Sequence, residues 1–401
     1  MKRAKVIILF LVSAGIVFST SCSQKEKKEV PQPESLTQYV EPRIGTAHCR
    51  WFHFAPGARP FGLAKPGPAT NASIGNNSGW EATGYDYRDT SIEGFPCLHE
   101  FQVGGIVLMP TVGELKTIPG EVNSTGQGYR SAFAHEDEIA MPGYYAVLLK
   151  DYNVKAEVTA TDRVAFQRFT FPQSEDSHIL FDIGNRQGDS GPAQDAEVTI
   201  TDDGLVEGWV TTLPEYSKKY QDGATVTMYF SARLDKQADA FGTFTHEDVQ
   251  AGERSVRGVG AGAYLTYKTK DQESITAKIG LSYTSVENAR LNREQETAQD
   301  QVTFDNAREA SSAIWEDYLG RIRVETSVKE DKVKFYTGLY HAVLGRGLAS
   351  DINGAYPKND GTVGQIPLKD GKPAFRFYNT DGIWGGQWNL IQVWALAYPE
   401  L

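Results

Sequence analysis

The stretch from Tyr39 to about Tyr283 is a succession of short apolar runs rich in β-branched and aromatic residues, several of which alternate apolar with polar positions. This period of two is typical of β-strands with one buried face. Turn residues separate the runs, and no intervening helical segment is long enough for a βαβ unit. The pattern therefore predicts an antiparallel β-sandwich, with strands that include Tyr145–Leu149, Val154–Val158, Val164–Phe171, Val226–Phe230, Ala263–Tyr267 and Ile275–Ile279.

The period changes near Val286. Helical spacing of apolar residues predicts one helix within Glu294–Leu319 and further helices over Val333–Leu348 and Trp384–Ala397. The chain is thus expected to be β first and α afterwards. We set the domain boundaries at residues 39–285 for the sandwich, 286–320 for a helical linker and 321–401 for the first part of a helical domain.

The N-terminus has the pattern of an export signal. Three basic residues precede an apolar run from Val6 to Phe18, which is too short to span a bilayer, and small residues then lead to Cys22. This order resembles the bacterial lipobox, so residues 1–22 are predicted to be a signal peptide whose cleavage leaves a lipid-bearing Cys22. Ordinary secretory cleavage is the alternative. Residues 23–38 form a polar tether, and the location stays open between periplasm and outer-membrane surface.

Composition narrows the class of partner. The 401 residues are 40% hydrophobic and carry a net charge of −11, which excludes a disordered chain and argues against nucleic-acid binding. An acidic, aromatic-rich chain suits neutral ligands such as sugars, although aromatic residues more often build cores. Cys49 and Cys97 are candidates for a disulfide, and their spacing does not match a metal site.

Eleven short blocks then occur in an order that resembles glycoside hydrolase family 92. The resemblance extends over the whole chain from Tyr39 to Leu401. The blocks are Ile44–Thr46, Phe54–Ala58, Pro60–Gly62, Gly84–Tyr87, Gly94–Phe95, Val107–Pro110, Pro142–Tyr145, Thr159–Arg163, Ser282–Leu291, Phe335–His341 and Ser350–Gly354.

This resemblance implies an exo-acting, calcium-dependent α-mannosidase in which a supersandwich packs against an (α/α)6 barrel. Hydrolysis with inversion needs one carboxylic acid and one carboxylate about 6.5–9.5 Å apart. The family's acid, base and calcium ligands lie late in the barrel, so the resemblance assigns no catalytic or metal residue within this chain. Because the residues from 321 onward supply only a few helices, we expect a fragment or a split gene product.

The resemblance also implies part of a sugar pocket. Trp80 matches a place where family members project an indole toward the terminal mannose, and a Trp packed in a loop core is the alternative. His99 matches the second histidine of a family pattern, but Cys97 replaces the first. A structural role for His99 therefore stays open.

Asp381, Trp384 and Trp388 lie at the mouth of the helix that the family uses at its pocket. Many members have an aspartate directly after the first tryptophan, where this sequence has Gly385. Asp381 could replace it or could simply cap the helix. Asp351–Gly354 resembles part of a calcium loop, but the other ligands are out of register and a turn is the better interpretation.

Three hypotheses follow from these residues. The chain is an α-mannosidase that trims mannose-containing glycans, a non-catalytic carbohydrate-binding lipoprotein, or a glycosidase of the same family with another linkage or sugar specificity. In each case the membrane is a partner only through Cys22, and nucleic acid is not a partner. The sequence leaves the oligomeric state open.

Overall fold

A computed structural model describes residues 34–47, 54–71, 84–99, 104–185, 192–214, 217–218, 222–345, 347–379, 386 and 388–400. All the elements given below belong to the unit Ser35–Leu401. Among the described residues, seventeen strands precede Val286: β1 Ser91–Ile92, β2 Phe95–His99, β3 Gly104–Val112, β4 Ser131–Ala132, β5 Ile139–Met141, β6 Tyr144–Leu149, β7 Val154–Ala160, β8 Val164–Phe171, β9 Ser174–Asp182, β10 Ala193–Ile200, β11 Val206–Thr212, β12 Val226–Leu234, β13 Ala240–Thr245, β14 Asp248–Ala251, β15 Ser255–Arg257, β16 Ala261–Thr269 and β17 Glu273–Ser282.

Two antiparallel sheets form the predicted sandwich. The larger has nine strands in the order β15-β10-β11-β12-β17-β8-β7-β6-β5, and the smaller has six in the order β14-β13-β16-β9-β3-β2. Their inner faces share one apolar core, in which Phe181 of the smaller sheet stacks on Phe230 of the larger with ring centroids 6.2 Å apart. The six strands predicted by the sequence all lie in these two sheets, so the fold class is confirmed.

Strand β8 shows why the period of two appears here. Ala165, Phe169 and Phe171 belong to the core between the sheets. Val164 and Phe166 point the other way, and Phe166 packs in a second cluster with Phe304 of a helix. Because apolar residues cover part of this second face, Val164 and Phe166 are apolar as well, whereas Arg168 and Thr170 further along the same face are polar.

Four α-helices follow: α1 Val286–Glu296, α2 Phe304–Gly320, α3 Lys329–Leu344 and α4 Leu390–Ala397. Helix α1 approaches the larger sheet very closely, because a Cβ placed on Gly280 would lie only 2.2 Å from the carbonyl oxygen of Ala289. Four short strands lie between α3 and α4: β18 Ala355–Pro357, β19 Val363–Gln365, β20 Leu368–Lys369 and β21 Lys372–Pro373.

The helical stretch predicted over Glu294–Leu319 is interrupted, because its first residues end α1 and α2 begins only at Phe304. The Thr297 hydroxyl donates to the Arg293 carbonyl oxygen at 2.6 Å and accepts from the Asp300 amide at 2.9 Å. Thr303 then caps α2 by accepting from the Asn306 amide at 3.2 Å. Side-chain hydrogen bonds of this kind compete with the helical ladder and end it.

Other boundaries also differ from the sequence prediction. Helix α3 begins before Val333 and ends at Leu344, and α4 begins at Leu390 rather than Trp384. Among the described residues the first strand begins at Ser91. Part of the chain before this strand packs against the helices, where Trp315 of α2 donates from its indole to the Ala58 carbonyl oxygen at 2.7 Å, and part of it, including Phe54 and Tyr85, packs in the sandwich core.

Some predictions fall outside the described residues. Cys22, with the signal and most of the tether, is among them, as is Cys49. Cys97 is a buried free thiol. Across the part of the chain that the structure describes, no helix is both long and apolar enough to cross a membrane.

Candidate active site between the sandwich and the helices

The segment Phe61–Lys65 lies between the sandwich and the helical part and contacts both. The Phe61 amide donates to the Val343 carbonyl oxygen of α3 at 3.0 Å. Two residues on, the Leu63 amide donates to the Asp162 carbonyl oxygen in the turn between β7 and β8 at 2.6 Å. This segment is therefore part of the boundary between the sandwich and the helical part, and the predicted site residues are described below relative to it.

Asp162 extends this boundary toward the helices. Its carboxylate pairs with Arg59 at 3.6 Å and with Arg376 at 3.2 Å. Two residues after Arg376, the Tyr378 ring packs edge-on against Phe61 with centroids 6.1 Å apart. The chain that leads to Asp381 is thus held against the sandwich turn.

The neighbouring Arg163 is buried and joins three elements. It donates from Nη1 to the Glu296 carboxylate at the end of α1 at 2.7 Å, and from Nε to the Ser350 carbonyl oxygen at 2.8 Å. Thr161 also donates to Glu296, at 2.6 Å. Asp351, next to Ser350, accepts from Thr284 and from Asn292, and burial raises the pKa of its carboxyl.

His99 ends strand β2 and is buried. Its Nδ1 lies 3.1 Å from the Lys65 carbonyl oxygen, which can only accept, so Nδ1 carries the proton and Nε2 offers a lone pair. Nε2 has no hydrogen-bond partner among the residues described. Burial, aided by the Lys65 charge, lowers the pKa of His99 to about 4, so the ring is neutral at pH 7.

Cys97 occupies the place of the first family histidine and cannot replace its chemistry. Its thiol accepts from the Gln167 amide at 3.3 Å. Burial raises the pKa of this thiol far above its usual range, so it stays protonated. Cys97 belongs to the apolar core between the two sheets.

Trp80 lies outside the described residues, but both ends of the stretch that carries it are described. The Thr70 and Asn71 amides donate to the Gly84 carbonyl oxygen at 2.8 Å and 3.1 Å, which closes the stretch at its base. Arg130, fully buried, donates to the Thr70 carbonyl oxygen at 2.6 Å and pairs with Glu93. The base of this stretch is thus fixed to the sandwich.

The helical side of the predicted pocket is only partly described. Asp381 and Trp384 lie outside the described residues, so neither a capping nor a sugar-binding role is tested for Asp381. Trp388 is 69% exposed and lies just before α4, where Asn389 has a left-handed backbone with φ of 73°. Helix α4 also exposes Ile391 by 47% and Leu396 by 85%.

The carboxylates of this boundary are already paired. Asp162 and Glu296 face arginines, and Asp351 accepts from two polar side chains. Asp351–Gly354 forms the predicted turn, closed by the Gly354 amide on the Asp351 carbonyl oxygen at 2.9 Å. Within the described ranges there is no group of three or more His, Cys, Asp or Glu residues that could hold a metal ion.

Two family models match the chain in succession. Residues 39–282 match the glycosyl hydrolase family 92 N-terminal domain, and residues 288–401 match the family 92 catalytic domain. The chain belongs to glycosyl hydrolase family 92. A curated relative in Arthroderma benhamiae, described as an uncharacterized secreted glycosidase, is 26% identical over 367 residues, covering 83% of this chain and 44% of that protein.

Solved structures of family 92 share the fold. The α-mannosidase BT3965 from Bacteroides thetaiotaomicron has a TM-score of 0.77 at 28% identity, covering 88% of this chain and 46% of that one. The family 92 glycosyl hydrolase ccman5 has a TM-score of 0.71 at 27% identity, covering 87% and 45%. The chain thus spans less than half the length of these relatives.

Three of the boundary residues were missed by the sequence analysis as site residues. Asp162 and Arg163 end one of the family blocks, which was the available signal, whereas Lys65 had none. Their positions depend on contacts between distant segments, which no local pattern reports.

Proposed function

We propose that this chain is part of a family 92 α-mannosidase, calcium-dependent and inverting, that removes mannose from glycans. The observation that supports the proposal is the network of contacts at the boundary between the sandwich and the helical part, to which His99 is joined. Lys65 contacts His99, the Asp162 turn contacts the Phe61–Lys65 segment, and Arg376 leads from Asp162 toward Asp381. A mannosidase relative was also solved with mannoimidazole bound.

In this proposal the described residues bind and orient the sugar. His99 offers a neutral acceptor at Nε2 for a hydroxyl group, because Nδ1 is committed to Lys65. The acid and base of an inverting enzyme must stand about 6.5–9.5 Å apart with a water between them. Since the boundary carboxylates are paired, we assign the acid, the base and the calcium ligands to further helices of the catalytic domain, which would cover the exposed face of α4.

The test is hydrolysis of 4-nitrophenyl α-mannoside and α-linked mannobiose, with calcium and with a chelator. The chain alone should release no mannose. Joined to the remaining part of a family 92 catalytic domain, it should release mannose that is first seen as the β-anomer by proton NMR. Release by the chain alone, abolished by the chelator, would show that the catalytic groups are wrongly placed.

Trp80 is proposed as a wall of the terminal sugar site. In the joined enzyme Trp80→Ala should lower kcat/KM by roughly ten- to a hundred-fold at an unchanged Tm. A large fall in Tm with unchanged kcat/KM would instead make Trp80 a packing residue.

Cys22 is proposed as the lipid anchor of an exported protein. Cys22→Ala should shift the protein from the detergent phase to the soluble fraction or leave the signal uncleaved. Equal partitioning of both forms contradicts lipidation.

A further inference from the structure

An exposed tyrosine ring is held in a fixed orientation beside the base of the Trp80 stretch. The Tyr87 phenol lies parallel to the His135 imidazole, with centroids 3.9 Å apart and planes within 2°. Tyr87 is nevertheless 40% exposed. His135 therefore covers one face of the ring, and the exposed surface of Tyr87 lies away from that face.

His135 is itself held at both nitrogens. Nδ1 lies 2.6 Å from the Glu138 carboxylate, and Nε2 lies 2.6 Å from the Tyr87 carbonyl oxygen. Phe133 adds an edge-on contact with centroids 5.4 Å apart. Both ring nitrogens are therefore engaged, which fixes the orientation of the imidazole.

Glu138 in turn is fixed by the sandwich. Its buried carboxylate accepts from the Tyr145 hydroxyl of β6 at 2.6 Å and from the Tyr85 hydroxyl at 3.1 Å. Burial raises the pKa of both hydroxyls, so they remain donors. The chain of contacts from the sheet through Glu138 and His135 to Tyr87 leaves the phenol little freedom.

Tyr87 follows closely on the described residue that ends the Trp80 stretch. It lies three residues after Gly84, whose carbonyl oxygen closes the Trp80 stretch, and its amide donates to the Thr46 carbonyl oxygen at 3.3 Å. Arg88 and Asp86, which flank it, form an ion pair whose guanidinium is 59% exposed. An apolar ring is thus bordered by polar groups that can bond hydroxyls.

We propose that Tyr87 is a sugar-binding residue that stacks on a hexopyranose unit of the glycan. The inference rests on the proposed function. The C–H face of a pyranose ring is apolar and carries slight positive charge, which matches the electron-rich face of a phenol. A ring already fixed by His135 loses little conformational entropy on binding, which favours affinity.

The alternative is that the phenol merely shields His135. Both roles need an aromatic ring, so Tyr87→Phe should preserve either, whereas only the binding role predicts a change in glycan affinity for Tyr87→Ala. Phe241→Ala is the matched control, because Phe241 of β13 is a half-buried ring that packs against the Arg254 guanidinium at 4.6 Å on the smaller sheet.

The experiment is affinity electrophoresis of the chain in gels that contain yeast mannan, a β-glucan or a galactan, with Tm measured on each variant. We expect retardation by mannan, a binding constant at least tenfold weaker for Tyr87→Ala, and values within twofold of the parent for Tyr87→Phe and Phe241→Ala. Tm should be within a few degrees of the parent for every variant.

The outcomes separate this inference from the proposed function. Equal retardation of all four proteins by mannan overturns the role of Tyr87 and leaves mannose recognition standing. Retardation by glucan or galactan alone, lost in Tyr87→Ala, supports the stacking role and contradicts the mannose assignment. Absence of retardation by every polysaccharide overturns the inference.

Discussion

The sandwich and the helical part of this chain bury their apolar surfaces to different degrees. The two sheets enclose one continuous core, and helices α1 and α2 cover the outer face of the larger sheet. Helix α4, by contrast, leaves Leu396 85% exposed and has no buried residue along its length. The difference shows that the sandwich has the partners it needs, while α4 presents an apolar face of the kind that further protein normally covers.

The strongest test of this comparison is a large truncation in the sandwich core. Phe169 is fully buried and packs against Phe95 with centroids 6.1 Å apart. Phe169→Ala should lower the free energy of unfolding by about 3–5 kcal/mol, because a cavity replaces the ring. Urea unfolding followed by circular dichroism measures the change, and a loss below about 1 kcal/mol would mean that the core is not continuous.

A smaller loss is expected at the boundary between the two regions. Arg163→Met leaves the Glu296 carboxylate buried without its arginine, which should cost about 3 kcal/mol. Glu296→Gln together with Arg163→Met should recover part of this loss. If the double variant is no more stable than Arg163→Met, the unpaired Glu296 charge is not the main cause of the loss in unfolding free energy.

A buried acid in the sandwich provides a pH test. Asp182 accepts from Tyr129 at 2.5 Å and from Asn185 at 2.8 Å, and burial raises its pKa to about 6. A carboxyl whose folded pKa is raised stabilises the fold below its unfolded pKa, and this stability is lost as pH rises through about 6. The contribution is on the order of 2 kcal/mol.

Asp182→Asn should therefore flatten the fall in unfolding free energy between about pH 4 and pH 6. Asp195→Asn is the control, because the Arg257 guanidinium lowers the pKa of the Asp195 carboxyl. Removing this carboxyl should therefore not reduce the fall in unfolding free energy with rising pH. An unchanged slope in Asp182→Asn would contradict the assignment.

The smallest effect on stability is expected on α4. Leu396→Ser should change the free energy of unfolding by no more than about 0.5 kcal/mol, because the side chain is already in water. It should reduce concentration-dependent self-association of the chain, as measured by light scattering. A destabilisation comparable to that of Phe169→Ala would show that Leu396 is covered in solution.

Local patterns were sufficient for the sandwich and insufficient at its border. Strand β8 could be located to the residue, because most side chains along Val164–Phe171 face one of two apolar layers. The break after α1 could not, because it depends on hydroxyl contacts of Thr297 and Thr303 rather than on an absence of helical periodicity.

The site was predictable only as far as the family blocks reach. His99 was identified by resemblance, but its neutral state depends on burial and on Lys65, a residue distant in sequence. The role of Tyr87 depends on His135 and Glu138, which arrive from a different segment and left no motif. Contacts of this type are set by tertiary structure and are not encoded within a short window.

The close approach of α1 to β17 at Gly280 shows that the boundary between the two family domains is not a boundary of the folded structure. The two family domains meet between residues 282 and 288, yet α1 lies directly against the backbone of β17, where no side chain larger than hydrogen fits. A sandwich excised at Ser282 would lose this helix and leave a bare strip of sheet over β12 and β17. Shuffling of these domains between relatives would therefore succeed more readily at a junction after α1 than at the one that the family models draw.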